Sequence, residues 1–175
     1  MVHFLIGIQG SGKTTFSKEL AKKLNCEIIS TDGLRNAHPD WAESMIWPEV
    51  YRLIAEALKQ DIDIIYDATN ITPKVRNRFK EELLKHNVEI KMGAYYFNTP
   101  WEICQKRVIK RNSEPNERFL PPEVVKSYAD NIIIPTLDEG FSFIKIIENL
   151  FVIFDNNIES PLTFPPFRVI YVVPK

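Results

Sequence analysis

The sequence predicts an α/β fold in which a parallel β-sheet carries helices on both faces. Short apolar runs that suit buried strands alternate along the chain with segments whose apolar residues recur at helical spacing. Strands and helices that alternate in this way form βαβ units, whose parallel strands place ligands at their carboxyl ends. A glycine-rich turn joins the first strand to the first helix, where folds of this class hold phosphate groups.

Three strands and two helices are predicted in the first part of the chain. His3 to Ile8 is an apolar run that enters the glycine-rich turn, and helical spacing follows over Lys13 to Leu24. Glu27 to Ser30 and Ile62 to Tyr66 are predicted to be the next two strands. Between them, Pro48 is expected to begin a helix that runs to about Gln60, because proline suits a first helical turn.

The middle of the chain is predicted to continue this alternation up to a mobile lid. A helix is expected from Thr72-Pro73 to His86, a strand from Val88 to Phe97, and another helix from Thr99-Pro100 to about Arg111. Residues 112–122 are polar and proline-rich, which favours an exposed mobile segment between two helices. We therefore predict a lid over about residues 107–130.

Late in the chain, three more strands are predicted, over Phe143 to Ile147, Leu150 to Asp155 and Arg168 to Val173. The last two belong to a C-terminal β extension over about residues 150–175. This extension is expected to complete the sheet, cover a groove or pair with another subunit. Because 175 residues suit one core and too little chain follows the lid for a second, residues 1–175 are predicted to form a single domain.

Composition and charge exclude several classes of protein. Hydrophobic residues make up 45% of the chain and charged residues 26%, as in ordinary globular domains. With 22 basic and 23 acidic residues, no overall field draws the chain to nucleic acid or to an anionic membrane. Cys26 and Cys104 lie far apart and the histidines lack metal-ligand spacing, so neither a disulfide framework nor a zinc site is predicted. Without a leader or a long apolar run, the chain is expected to be cytoplasmic, away from membranes and without an obligate protein partner.

The segment GIQGSGKT, from Gly7 to Thr14, matches the phosphate-binding pattern G-x-x-x-x-G-K-[ST] between a strand and a helix. In this setting backbone N–H groups hold a β-phosphate, Lys13 reaches the β and γ oxygens, and Thr14 ligates Mg²⁺. The alternative is a glycine-rich turn that only caps the helix. We predict ATP and Mg²⁺ as ligands and a P-loop NTPase-type three-layer fold. The predicted nucleotide contacts in this loop are Gly7, Gly10, Ser11, Gly12, Lys13, Thr14 and Thr15.

Asp32 and Arg35 follow the second predicted strand, at the ligand-facing edge of the sheet. A carboxylate there can accept the proton of an attacking hydroxyl, which makes Asp32 the candidate general base. Arg35 can bind an anionic group of the acceptor through two N–H groups. The alternative is that Asp32 caps a turn or the next helix.

Asp67 and Asn70 follow the third predicted strand and are expected at the same edge of the sheet. An acidic residue at such a strand end commonly orients Mg²⁺ or its waters, or an acceptor hydroxyl. Asp67 is therefore a candidate metal ligand together with Thr14, and Asp67 and Asn70 are candidate acceptor contacts. The alternative is a strand-end turn in which Asn70 caps the next helix.

Arg107 and Arg111 lie four residues apart and so share one face of the predicted helix before the lid loop, which carries Arg118. An arginine that closes on the transferring phosphoryl group accelerates transfer, and a guanidinium can also stack on adenine. Arg107 and Arg111 are therefore candidate catalytic and nucleotide-binding residues. The alternative is a solvated basic helix face.

The chain resembles the polynucleotide 5′-kinase family, which comprises phage-type 5′-hydroxyl kinases and the kinase modules of bacterial and animal end-healing enzymes, within the P-loop kinases. The similarity covers about residues 3–147; besides the P-loop it includes Ser-x-Asp-x-x-Arg at 30–35, Asp-x-Thr-Asn at 67–70, the Arg107 and Arg111 pair, and Glu-Gly-Phe at 139–141. The resemblance implies that Asp32 is the general base, that Arg35 contacts a 3′-phosphate of the acceptor, and that Asp67 lies near the acceptor. It also implies that the lid arginines bind the donor phosphates.

The predicted function is transfer of the γ-phosphate of ATP to the 5′-hydroxyl end of a polynucleotide. Arg76 is a candidate acceptor contact, because it lies among basic residues, from Lys74 to Lys80, that can guide a phosphate backbone. One alternative is the same chemistry on a small metabolite or nucleoside. Another is a non-catalytic ATP-binding module whose lid recruits a partner. The predicted catalytic residues are Lys13, Asp32, Arg107 and Arg111.

Overall fold

The computed structural model describes residues 1–115, 117–149, 153–154, 157–158 and 167–172. Five parallel strands form most of the sheet, and they are Val2–Ile6 (β1), Glu27–Ser30 (β2), Ile64–Asp67 (β3), Met92–Phe97 (β4) and Phe141–Asn149 (β5). Their order is β2-β3-β1-β4-β5, so β1 lies at the centre of the five. The predicted α/β class with a parallel sheet is confirmed.

The C-terminal part of the chain adds strands of a different kind. Ile153–Phe154 (β6) and Asn157–Ile158 (β7) pair with each other in an antiparallel two-stranded sheet. Phe167–Val172 (β8) pairs antiparallel with β5 and extends the main sheet to six strands. Most of the predicted strand from Leu150 to Asp155 lies outside the described residues.

Six helices are described, and in the sequence they occur between the strands β1 to β5. Their bounds are Lys13–Leu24 (α1), Thr31–Ala37 (α2), Glu43–Lys59 (α3), Pro73–Leu84 (α4), Trp101–Asn112 (α5) and Pro122–Asn131 (α6). A short 3-10 turn over Leu137–Glu139 precedes β5. No helix in the described part of the chain has the length and apolar character that crossing a bilayer requires.

Helices cover both faces of the sheet, which gives the predicted three-layer arrangement. On one face, Phe4 of β1 packs with Val50 of α3 and Phe79 of α4 in the largest buried cluster. On the other face, Leu5 lies with Leu20 of α1. Side chains alternate along β1 between the two faces of the sheet, so this strand contributes to both cores. Its carboxyl end is thereby held between the two layers of helices.

Two helices differ from what the sequence predicts. The start of α3 is predicted at Pro48, but the helix begins at Glu43 and contains Pro48 in its second turn. Proline removes one backbone hydrogen bond there, while the preceding turn buries Ile46 on the same face as Val50. No helix is predicted at α2, which is capped by the Ser30 hydroxyl as it accepts the Gly33 N–H at 2.8 Å.

The strands on either side of the predicted lid also differ in length from the predictions. β4 begins at Met92 instead of Val88, and β5 covers Phe141–Asn149 instead of Phe143 to Ile147. Within the predicted lid, the side chain of Asn112 bonds the backbone of Leu120 in both directions, at 2.7 and 3.1 Å. This contact joins the last residue of α5 to the segment just before α6.

Candidate active site

The P-loop runs from the end of β1 into the first turn of α1. Gly10 and Gly12 have φ values of 78° and 98°, in the left-handed region that glycine adopts without strain. A Cβ atom on Gly10 would lie 2.5 Å from the carbonyl oxygen of Cys104 in α5, so no larger residue fits without displacing backbone. The loop can therefore curl its backbone N–H groups around an anion at the N-terminus of α1.

Lys13 is buried inside this loop. Its ammonium group donates to the carbonyl oxygens of Gly7 at 2.9 Å and Ile8 at 2.8 Å. Burial lowers the pKa of Lys13, while the negative charges of Asp67 and Asp32 act in the opposite direction. The ammonium group of Lys13 thus lies where it can form an ion pair with a phosphate that the loop holds.

Thr14 and Asp67 connect the P-loop to β3. The Thr14 hydroxyl donates to Oδ2 of Asp67 at 3.0 Å, and Asp67 is only 8% exposed. Burial raises the pKa of Asp67, while Lys13 and the hydrogen bond from Thr14 lower it. A hydroxyl and a carboxylate side by side supply the hard oxygen ligands that Mg²⁺ prefers, so these two residues fit a magnesium ion.

Asp32 lies at the same edge of the sheet, in the first turn of α2. The register of β2 and β3 sets Ser30 beside Asp67, which brings the start of α2 next to the buried carboxylate. Asp32 is close enough for its charge to act on both Lys13 and Asp67. Its own side chain is 82% exposed, so it is open to an incoming molecule.

Arg35 is held between two carboxylates. It donates through Nη1 to Oδ1 of Asp32 at 2.7 Å, and through Nε to Oε2 of Glu43 at 3.0 Å. Nη2 bonds the other Glu43 oxygen, which completes a two-pronged ion pair. The Arg35 hydrogen bond is the main cause that lowers the pKa of Glu43, and Arg118 in the loop between α5 and α6 acts in the same direction. This loop therefore approaches the Asp32–Arg35–Glu43 group.

The two candidate arginines of α5 both reach the P-loop region. Arg107 donates to the carbonyl oxygen of Gly10 at 3.0 Å, and burial lowers its pKa. Arg111 lies near enough to Lys13 for its charge to contribute to the lowered pKa of that lysine, after burial. Nε of Arg111 also lies 3.6 Å from Oε2 of Glu117, in the loop between α5 and α6. The structure thus brings together Lys13, Thr14, Asp32, Arg35, Asp67, Arg107 and Arg111.

A family model described as AAA domain matches residues 2–132. The chain belongs to this AAA domain family. The match contains the P-loop, Asp32, Asp67 and both arginines of α5, and it ends just after α6. No curated protein matches the chain significantly in sequence.

Solved structures show which fold this AAA domain shares. A gluconokinase from Sinorhizobium meliloti is 14% identical, with a TM-score of 0.55 over 84% of this chain and 81% of its own. Chaetomium thermophilum Kti12, solved in complex with ADP-AlF3, is 16% identical, with a TM-score of 0.64 over 85% and 89%. A sugar kinase from Janibacter is 17% identical, with a TM-score of 0.60 over 84% of each chain. The AAA domain therefore shares with these proteins an α/β fold of the P-loop NTPase type.

Two of the predicted acceptor contacts in this AAA domain are buried. Arg76 is 1% exposed, and its guanidinium forms a two-pronged ion pair with Glu139 at 2.7 and 2.8 Å. It also donates to the carbonyl oxygens of Asn70 and Ile133. The structure thus places the Arg76 guanidinium among internal partners, where it is not exposed to an acceptor. Asn70 is likewise 1% exposed, and its amide donates to the carbonyl oxygen of Leu5 at 3.0 Å.

The basic residues around Arg76 do not form one cationic stripe. Lys80 donates to the carbonyl oxygen of Glu139 at 2.8 Å, so it belongs to the same internal group as Arg76. Lys74 and Arg78 are exposed and lie four residues apart on α4. The cationic surface on this helix is therefore smaller than the sequence predicts.

Glu43 is a site residue that sequence reasoning missed. Its carboxylate orients Arg35 from the first turn of α3. The predicted start of that helix at Pro48 leaves Glu43 in a loop, with no pattern that links it to Arg35. An acidic residue eight positions after an arginine carries no signal of its own until the turn between α2 and α3 is known.

Proposed function

We propose that this AAA domain is an ATP-dependent phosphotransferase that moves the γ-phosphoryl group of ATP to a hydroxyl group. The observation that carries the proposal is the position of Asp32, an exposed carboxylate within electrostatic range of both Lys13 and Asp67. The P-loop groups and Asp67 can hold the phosphates and Mg²⁺ without Asp32, and a further exposed carboxylate repels phosphate. A proton acceptor for an attacking hydroxyl belongs at this place.

In the proposed reaction, the P-loop N–H groups and Lys13 hold the β- and γ-phosphates. Thr14 and Asp67 hold Mg²⁺, which when bound neutralises charge on the phosphate oxygens. Asp32 takes the proton of the acceptor hydroxyl as that oxygen bonds to the γ-phosphorus and the bond to ADP breaks. Arg107 and Arg111 add positive charge beside the P-loop. Arg35 holds an anionic group of the acceptor near Asp32.

The first acceptor we propose is the 5′-hydroxyl end of a polynucleotide. Arg35 beside Asp32 suits an acceptor that carries an anionic group close to its reacting hydroxyl, as a nucleotide with a 3′-phosphate does. Exposed Lys74 and Arg78 on α4 add a small cationic surface for further phosphates.

A small-molecule alcohol is the second candidate acceptor. It is favoured by the burial of Arg76 and the internal bond of Lys80, which remove two of the four cations suited to a polymer. Solved kinases with this fold include a gluconokinase and a sugar kinase. A single anion contact at Arg35 suits such a substrate.

The proposal is tested by incubating the chain with γ-labelled ATP, Mg²⁺ and defined acceptors. The acceptors are a single-stranded oligonucleotide with a 5′-hydroxyl, the same oligonucleotide with a 5′-phosphate, a nucleoside 3′-monophosphate and a panel of small alcohols. Label on the 5′-hydroxyl oligonucleotide supports the first acceptor, and label only on a small alcohol supports the second. ATP binding without label on any acceptor would contradict the phosphotransferase proposal.

Asp32→Asn tests the role of the carboxylate, with Asp40→Asn as the matched control. Asp40 is exposed in the connection between α2 and α3 and is not one of the proposed site residues, so its substitution removes the same charge without changing the site. We expect Asp32→Asn to abolish transfer while ATP affinity stays within a few-fold, and Asp40→Asn to behave like the parent chain. Normal turnover of Asp32→Asn would show that another group accepts the proton.

A further inference from the structure

Thr99 contacts the P-loop from a part of the chain to which the phosphate-binding pattern assigns no role. It lies between β4 and α5 and is 8% exposed. Its hydroxyl donates to the carbonyl oxygen of Ser11 at 3.0 Å, across 88 positions of sequence. The contact is therefore built by the fold and not by local sequence.

The same segment holds the neighbouring residue of the loop. Arg107 donates to the carbonyl oxygen of Gly10 at 3.0 Å. The carbonyl oxygen of Cys104 lies so close to Gly10 that an added Cβ would be 2.5 Å away. Two successive P-loop carbonyl groups thus accept hydrogen bonds from side chains in the middle of α5 and in the turn before it.

A held carbonyl also orients the N–H group that shares its peptide plane. In a trans peptide the C=O of one residue and the N–H of the next point in opposite directions. A Ser11 carbonyl turned toward Thr99 therefore turns the Gly12 N–H away from Thr99. Gly12 is the N-cap of α1 and has a left-handed backbone, so rotation of this peptide plane is sterically open to it.

We propose that Thr99 is a positioning residue for the nucleotide. By holding the Ser11 carbonyl, its hydroxyl keeps the Gly12 N–H directed toward the anion site inside the P-loop. There the Gly12 N–H donates a hydrogen bond to the β-phosphate. The inference rests on the proposed ATP-binding function and adds a residue to it. Without the hydroxyl, the peptide plane between Ser11 and Gly12 loses this hydrogen bond. The backbone N–H groups of the P-loop are then less preorganised for the anion.

The test compares Thr99→Val, which keeps the shape and removes the donor, with Thr99→Ser, which keeps the donor. The dissociation constant for ATP is measured directly by calorimetry, and KM and kcat are measured with the acceptor found for the parent chain. We expect Thr99→Val to weaken ATP binding about tenfold, the size of one hydrogen bond, and Thr99→Ser to stay within about twofold. In Thr99→Val the KM for ATP should rise correspondingly, while the KM for the acceptor should stay unchanged.

A control separates positioning from loss of stability. Thr136→Val removes the hydroxyl that caps the 3-10 turn before β5, away from the P-loop, and so lowers stability without touching the cradle. We expect this variant to bind ATP like the parent chain. If Thr99→Val does not fold, Thr99→Ala tests the same loss of the donor, with the same expected weakening.

Failure of this inference is distinguishable from failure of the proposed function. If the parent chain binds ATP and Thr99→Val binds it equally well, the positioning role of Thr99 is overturned while the function stands. Equal weakening in Thr99→Ser and Thr99→Val also overturns it, because the hydroxyl would then not be the cause. A parent chain that binds no ATP overturns both.

Discussion

The hydroxyl of Thr14 donates to Oδ2 of Asp67 at 3.0 Å, and this contact joins the P-loop to the end of β3. The two residues are 53 positions apart, yet the parallel pairing of β1 and β3 sets Leu5, two residues before the P-loop, beside Asp67. A buried carboxylate is thereby held against the first turn of α1. The contact has a cost as well as a use, because burial disfavours the ionised form that a metal requires.

Asp67→Asn is expected to lose transfer while keeping the fold. Asparagine retains an oxygen that accepts the Thr14 hydroxyl but removes the charge that Mg²⁺ requires, so we expect transfer to fall on the order of a hundredfold. Because burial raises the pKa of Asp67, the free energy of unfolding at neutral pH should be unchanged or higher in the variant. Labelled transfer across a Mg²⁺ titration and urea unfolding measure the two effects.

The control for this substitution is Asp61→Asn, an exposed aspartate just before β3. We expect the control to change neither the Mg²⁺ dependence nor the unfolding midpoint. Transfer by Asp67→Asn at the parent rate, with the same Mg²⁺ dependence, would remove Asp67 from the proposed metal site.

Glu43→Gln is expected to weaken acceptor binding without weakening ATP binding. Glu43 holds Arg35 through both carboxylate oxygens, and a neutral amide can accept from only one of these N–H groups. Arg35 then loses its fixed orientation beside Asp32. We expect the KM for the acceptor to rise by about tenfold, the size of one charge-assisted hydrogen bond, while the KM for ATP stays unchanged.

Glu49→Gln provides the comparison, because Glu49 lies on the same helix and pairs with Arg52 away from Asp32. We expect this variant to leave both KM values as they are. An equal rise in the KM for ATP and for the acceptor in Glu43→Gln would mean that the ion pair supports α2 and α3 generally and not the acceptor contact.

The phosphate-binding half of the site could be predicted because its determinants are local. The P-loop pattern lies in eight consecutive residues, and an apolar run before Asp67 is enough to place this carboxylate at a strand end. Both features follow from neighbouring residues alone. The fold class follows in the same way from the alternation of strands and helices.

The acceptor half depends on contacts that neighbouring residues do not encode. The start of α3 at Glu43 depends on packing of Ile46 into the core, which overrides the preference of Pro48 for a first turn. The burial of Arg76 depends on Glu139, which lies 63 positions later in a short turn that no periodic pattern marks. Basic residues at a helix start therefore do not reveal which of their side chains are exposed.

The Arg76–Glu139 ion pair is expected to support the fold in a pH-dependent way. Burial raises the pKa of Glu139, but its bonds to Arg76 and to the Thr136 backbone outweigh this and lower it below the ordinary 4.5. A carboxyl group with a lowered folded pKa contributes stability that is present above the unfolded value, near 4.5, and is lost as pH falls through the folded value. The free energy of unfolding of the parent chain should therefore decline below about pH 4.5 partly through this group.

Arg76→Met tests this pair most directly, because it leaves Glu139 partly buried without its cation. We expect a loss of about 3–5 kcal/mol at pH 7, measured by urea unfolding. The double variant Arg76→Met with Glu139→Gln should recover part of this loss, since it removes the unpaired charge. Its stability should also depend less on pH between 3 and 5 than that of the parent chain. If Arg76→Met were as stable as the parent chain and still failed in transfer, Arg76 would serve the acceptor after all, through a conformation in which it leaves Glu139.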